Sequence, residues 1–221
     1  MQIAQSLLQI KASIPENITL VAVSKTKPVS DLMEAYNVGQ RIFGENKIQE
    51  MTEKWLTMPK DIEWHMIGHV QTNKVKFMSE YVSLIHGVES LKLLKEINKQ
   101  AKNHNRIIDC LLQIHIAEEE TKFGLNEAEL NEIISNILNH ENELKNINVT
   151  GLMGMATFTD NQSQIEKEFQ NLKRIFDDNQ NHKTDNLNLK ILSIGMSGDY
   201  QLAIECGSTM IRVGSSIFGK R

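Results

Sequence analysis

Two cysteines, three prolines and no long apolar run set the first limits on this 221-residue chain. Cys110 and Cys206 lack the Cys-x-x-Cys spacing of redox and zinc motifs, so both are expected to be reduced and buried, in a cytoplasmic setting. No dense Lys/Arg run occurs and the formal net charge is -4, which argues against an electrostatic nucleic-acid binder. No apolar stretch reaches spanning length, so no membrane partner is expected. The start, Met1-Gln-Ile-Ala-Gln-Ser6, has no basic segment followed by an apolar block, so no signal peptide is expected. His65, His104, His140 and His182 show no metal-ligand spacing, so no metal is assigned. What is present is ordinary for a globular protein: 40% hydrophobic and 24% charged residues, enough for one large domain over residues 1–221.

The most informative stretch is Thr19-Leu-Val-Ala-Val-Ser-Lys25-Thr-Lys27-Pro28. Residues 19–23 are apolar or β-branched and predict a strand buried on both faces; Pro28 ends it, and Ser30 offers a cap for the next helix. Further strands are expected at 41–43, 62–67, 82–85, 106–116, 149–153, 190–194 and 210–213. Helices are expected between them, at about 30–37, 47–56, 71–80, 90–101, 126–138, 162–176 and 199–205, with one more at 3–14 before the first strand. Residues 139–146 and 177–188 read as polar surface connections. Eight strands alternating with helices predict an α/β fold, a (β/α)8 TIM barrel, in which the helix after the eighth strand is missing and the N-terminal helix covers the gap. A doubly wound open sheet is the alternative, but its Gly-x-Gly-x-x-Gly turn is absent.

In such a barrel, function sits at the carboxyl ends of the strands. Those ends carry Lys25; Glu45 and Asn46; Gly68 and His69; His86; His115; Thr157; Ser197; and Gly214 with Ser215. A lysine at a strand exit is a candidate reactive amine. Ser197-Gly198-Asp199 and Gly214-Ser215-Ser216, at the last two exits, suit a phosphate, which such loops often hold through backbone N–H groups and hydroxyls. Arg212 lies within the eighth strand and needs a partner: an ion pair with Glu45 or Glu205, or a ligand. Lysine, phosphate cradle and inward arginine together suggest pyridoxal phosphate held as a Schiff base. Lys27 and Lys122 read as solvated surface lysines, and the ten methionines as core filler.

Ala22-Val-Ser-Lys25-Thr-Lys-Pro28, Phe43-Gly-Glu-Asn46, Trp64-His-Met-Ile-Gly68, Gly195-Met-Ser-Gly-Asp199 and Ile211-Arg-Val-Gly-Ser215 with Ile217-Phe-Gly219 resemble, in this order, the motifs of the pyridoxal phosphate homeostasis proteins. The resemblance implies a fold-type III barrel related to the alanine racemase N-terminal domain. It makes Lys25 the aldimine lysine, and Ser197, Gly214 and Ser215 the phosphate-binding positions. It places Arg212 at the pyridine nitrogen and Asn46 and Met196 beside the ring. Ser215 replaces the threonine of many relatives, and the hydroxyl survives. The implied role is to bind pyridoxal phosphate and supply it to other proteins, possible recipients being the apoenzymes that need it. It includes vitamin B6 homeostasis and no established enzymatic reaction, and the chain is expected to be a monomer.

Two other functions fit the same residues. One is a pyridoxal-phosphate amino-acid racemase, which needs a second base and a wall against water; of Tyr36, Tyr81 and Tyr200, Tyr200 is nearest the rim and reads as packing. The chain stops soon after Gly219, so a second domain supplying these is not expected. The other is an aldolase or isomerase that uses Lys25 and a substrate phosphate without a cofactor.

Overall fold

The computed structural model describes residues 2–119, 123–139 and 143–219. Eight parallel strands form its sheet: β1 (Thr19–Val23), β2 (Ile42–Glu45), β3 (Glu63–Met66), β4 (Val82–Val88), β5 (Ile108–Gln113), β6 (Ile147–Met153), β8 (Leu187–Ser193) and β9 (Met210–Val213). Neighbours in sequence pair around the ring, β9 pairs back onto β1, and β6 pairs with β8 in parallel, so the sheet closes into a barrel. That closure rules out the open doubly wound sheet.

The strands read as nearly continuous apolar runs because each has two dry faces. Outward residues such as Phe43, Trp64 and Ile85 pack under the helices in one large core. Inward residues Val21, Leu84, Leu111, Met153 and Met210 form a separate apolar plug inside the barrel. Closure leaves no room at one point: a Cβ on Gly151 of β6 would lie 1.9 Å from the Ile191 carbonyl oxygen of β8.

The helices are α1 (Gln2–Ser13), α2 (Val29–Asn37), α3 (Ile48–Thr57), α4 (Leu91–Asn103), α5 (Glu127–Asn139), α6 (Gln162–Asn179), α7 (Tyr200–Glu205) and α8 (Ser215–Phe218). Ser90 and Asn126 start α4 and α5 as their sequences suggest: Ser90 Oγ accepts from the Leu93 amide, and Asn126 and Glu129 exchange bonds in a capping box. The polar connection expected at 139–146 includes residues outside the described ones.

Several expectations need correction. Ser30 caps nothing; α2 begins at Val29 with Pro28 as the preceding residue, whose fixed φ suits a helix start. The helix expected at 71–80 is a single 3-10 stretch, Thr72–Phe77. The loop expected at 177–188 contains a small hairpin, in which β7 (Lys183–Thr184) pairs antiparallel with β8. The helix thought missing after the last strand exists as the one-turn α8, and α1 packs over it and over α2. Cys110 is buried, but Cys206 is only half-buried.

Candidate functional site

The β1 exit is held from below. Ser24 is fully buried, and its Oγ donates to Glu45 Oε1 at 2.6 Å. Lys54 of α3, itself buried, places its ammonium between the Ser24 carbonyl, Glu45 Oε1 and Glu50 Oε1, at 2.8, 2.7 and 2.7 Å. Glu50 Oε1 also accepts the Thr26 amide at 2.6 Å. The backbone on either side of Lys25 is thus tied to one buried ammonium. Thr26 sits at φ 65°, where a β-branched residue is strained, and these bonds hold it there. Burial pushes the Glu45 carboxyl above its ordinary range, against the pull of Lys54.

The last two barrel exits are tied to each other. Gly214 donates its amide to Ser197 Oγ at 3.0 Å, and Ser216 Oγ reaches the Ser197 carbonyl at 3.5 Å. Asp199 precedes α7 but does not cap it with its side chain; its Oδ1 instead accepts the Met196 amide at 2.5 Å, which closes the Met196–Asp199 turn. The amides of Ser215 and Ser216 open the turn of α8 and have no partner within it.

Arg212 is 4% exposed and points inward. Its Nη1 donates to the Ser193 carbonyl and Oγ at 2.8 and 2.6 Å, and Nη2 donates to the Gly154 carbonyl at 3.0 Å. The ion pair with Glu45 or Glu205 does not form: Glu45 pairs with Lys54, and all three of these acceptors of Arg212 are neutral. Burial lowers the Arg212 pKa to about 10, against the opposing pull of Asp199, so the group stays a cation at neutral pH.

These pieces surround one cavity of about 700 Å3 at the carboxyl end of the barrel. Lys25, Asn46, Met196, Ser197, Arg212, Gly214 and Ser215, the seven residues singled out from the sequence, all line it. A Cβ on Gly68 would lie 2.4 Å from the Asn46 carbonyl oxygen, so glycine there lets the β3 exit close on the residue that carries Asn46. Lys27 is not a solvated surface lysine: half-buried, it lines the cavity and donates to the Phe218 carbonyl at 2.8 Å. Lys122 and His140 lie outside the described residues. His69 pairs with Glu89 at 3.0 Å and stacks on Phe123, and neither His86 nor His115 is on the cavity wall. Tyr200 packs against the core. Among the described residues no group of three or more His, Cys, Asp or Glu is placed to hold a metal, and no helix is long and apolar enough to cross a membrane.

Sequence reasoning missed three supports. Lys54 gave no signal of its own, though a buried glutamate at the end of β2 demands a cation nearby. Glu168 of α6 accepts from the Thr157 amide and hydroxyl, both at 2.6 Å, and so fixes the β6 exit. His65 and His86 meet inside the barrel at 3.1 Å, which the two-residue period of the strands could have indicated.

The family model for the alanine racemase N-terminal domain matches residues 1–221. A protein of Aquifex aeolicus named pyridoxal phosphate homeostasis protein is 38% identical over 203 residues, covering 91% of this chain and 86% of that one. The chain belongs to the pyridoxal phosphate homeostasis protein family. A family member of the same name from Pasteurella multocida is 35% identical and aligns over 100% of this chain and 98% of its own. Among solved structures, PipY of Synechococcus elongatus with pyridoxal phosphate bound superposes with a TM-score of 0.87 at 32% identity, covering 99% of this chain and all of that one. An alanine racemase of Clostridium difficile, 16% identical and covered over 57% of its length, shares the barrel with a TM-score of 0.76. The family resemblance read from the motifs and the racemase-like barrel therefore both hold.

Proposed function

We propose that this chain binds pyridoxal 5'-phosphate as a Schiff base on Lys25 and supplies it to other proteins, acting in vitamin B6 homeostasis rather than in catalysis. The observation that carries the reading is the convergence of an amine, a phosphate cradle and an inward cation on one cavity. PipY, solved with pyridoxal phosphate bound, supports the choice of ligand.

The residues present fit the group. About 700 Å3 is within the usual range for a small-molecule site. Oδ1 of Asn46 is buried with no hydrogen-bond partner, an acceptor left over by the protein itself. Ser197, Gly214 and Ser215 take the phosphate through hydroxyl and amide donors. Arg212, a buried cation whose three bonded acceptors are neutral, meets the ring nitrogen and keeps that atom an acceptor; Asn46 and Met196 flank the ring. When bound, the cofactor supplies an electrophilic aldehyde and an electron sink, and the second is weakened by a cation at the ring nitrogen.

That weakening favours a carrier over a racemase. So does Tyr200, the tyrosine nearest the rim, which is packed against the core. A monomer with a single barrel domain over residues 1–221 is part of the same reading. Recipients would be apoenzymes that require the cofactor, and the setting cytoplasmic.

The test is borohydride reduction of the protein loaded with pyridoxal phosphate, followed by peptide mass spectrometry. The expected result is one stable adduct, on Lys25, lost together with the visible colour in Lys25→Ala. Absence of an adduct, or an adduct on another lysine, overturns the assignment.

A further inference from the structure

In four strands an inward apolar residue is followed two positions later by a buried polar one: Leu84 by His86, Leu111 by Gln113, Ile191 by Ser193 and Met210 by Arg212. A step of two keeps a strand side chain on the same face, so the polar residues form a layer between the apolar plug and the cavity. Three of them, with His65, make one continuous line. Arg212 Nη1 is 2.6 Å from Ser193 Oγ, Ser193 Oγ is 3.2 Å from His86 Nδ1, and His86 Nε2 is 3.1 Å from His65 Nδ1.

Chemistry gives the line a direction. A guanidinium only donates, so Ser193 Oγ accepts from Arg212. The serine hydrogen is then available to His86 Nδ1, which makes that nitrogen the acceptor. A neutral His86 must in turn carry its proton on Nε2 and donate to His65 Nδ1. The reverse direction aims two donors at one serine oxygen and turns its hydrogen away from both partners. Both rings are buried, which holds them neutral, and Arg212 adds repulsion against a charge on His86.

We propose that His65 and His86 are positioning residues for Arg212: they orient the Ser193 hydroxyl so that its lone pair faces the guanidinium and locks that cation beneath the cavity. Neither histidine reaches the ligand; each acts through the next group along the line. The proposal rests on the reading above, in which Arg212 faces the ring nitrogen of pyridoxal phosphate.

Two measurements test it. The first needs no ligand: nitrogen–proton correlation spectra of the histidine rings in the parent protein. The expected result is neutral His65 and His86, both protonated on Nε2; a proton on Nδ1 of His86 overturns the proposal. This arm also decides the matter if a variant fails to fold. The second is titration of His86→Leu, Ser193→Ala and His86→Gln with pyridoxal phosphate, followed by absorption. Loss of one well-placed hydrogen bond predicts roughly tenfold weaker binding for the first two. It also predicts a visible band that shifts with pH, because the ring nitrogen is no longer held against a fixed cation. His86→Gln keeps an acceptor and a donor at the same place and recovers most of the affinity. Variants that match the parent in affinity and spectrum overturn the proposal while leaving the functional reading intact. A parent protein that takes up no pyridoxal phosphate removes both.

Discussion

Lys54 shows what a single buried charge does at the edge of this site. Its ammonium is shared by two carboxylates and a carbonyl, and Glu45 beside it is fully buried with its second oxygen, Oε2, unpartnered. Lys54→Met strands the Glu45 carboxylate in a dry place, which typically costs about 3–5 kcal/mol. Urea unfolding should show a loss of that size. Glu45→Gln added to Lys54→Met should return part of it, since the stranded charge is then gone; a double variant no more stable than the single would refute the charge argument. Because the same ammonium fixes the backbone around Lys25, Lys54→Met should also slow the formation of the borohydride-trapped adduct. The buried histidines give a second prediction at this scale. Burial holds the pKa of His65 down to about 3 and that of His86 well below its ordinary 6.5. In the unfolded chain both take up protons near 6.5, so between that value and about 3 the unfolded state binds more protons than the folded one. Stability is therefore full above pH 6.5 and falls with acid, at up to roughly 1.4 kcal/mol per pH unit for each ring. Denaturant midpoints across that range should flatten in His65→Gln and His86→Gln; an unchanged slope would show that other groups govern acid unfolding.

At the scale of elements, the same alternation that made the barrel legible concealed what lies inside it. Strands β1 and β9 stand where the apolar runs give way to Ser24-Lys25 and to Gly214, because a change from apolar to polar or glycine residues marks a strand end sharply. The apolar spacing around 71–80 permits a helix, but the Tyr81 and Val82 amides donate to the Met78 carbonyl and turn the chain into β4 after a single 3-10 stretch. The hairpin at β7 was hidden by an Asn- and Asp-rich composition that looks like any surface loop. Lys25, Asn46, Ser197, Gly214 and Ser215 could be put on one rim because they follow apolar strands, whereas Arg212 lies within a strand and Met196 comes only from the family resemblance; all seven line the cavity. Their supports were not, because Lys54 and Glu168 come from helices whose facing to the barrel depends on tertiary packing. Gly151 belongs with these: nothing in Thr-Gly-Leu announces a contact with β8. A methyl group there meets the Ile191 carbonyl across the seam that closes the ring. Gly151→Ala should cost about 3 kcal/mol or more, since a backbone atom cannot step aside as a side chain does. A thermal midpoint within a degree or so of the parent would mean that the seam yields.

For the whole molecule the question is whether a barrel that holds an aldehyde cofactor also turns substrate over. Racemisation needs two bases on opposite faces of the reacting carbon and a site closed to water. Here the wall at the β6 exit ends in Phe158, which lines the cavity yet is 94% exposed. An aromatic side chain left in solvent at the mouth closes nothing over a bound ligand. Arg212 is buried under the cavity and stays a cation at neutral pH; in the proposed placement it opposes protonation of the ring nitrogen, and with it the stabilisation of a carbanion. On the proposed reading both features act in the same direction: they favour capture and release of the cofactor over chemistry on an amino acid. The loaded protein, incubated with a panel of L-amino acids and analysed by chiral chromatography, should racemise none of them faster than the same concentration of free pyridoxal phosphate. It should also restore activity to an apoenzyme that lacks the cofactor, and Lys25→Ala, treated in the same way, should not. Turnover above the free cofactor that disappears in Lys25→Ala would place a second base in the cavity and make the chain an enzyme.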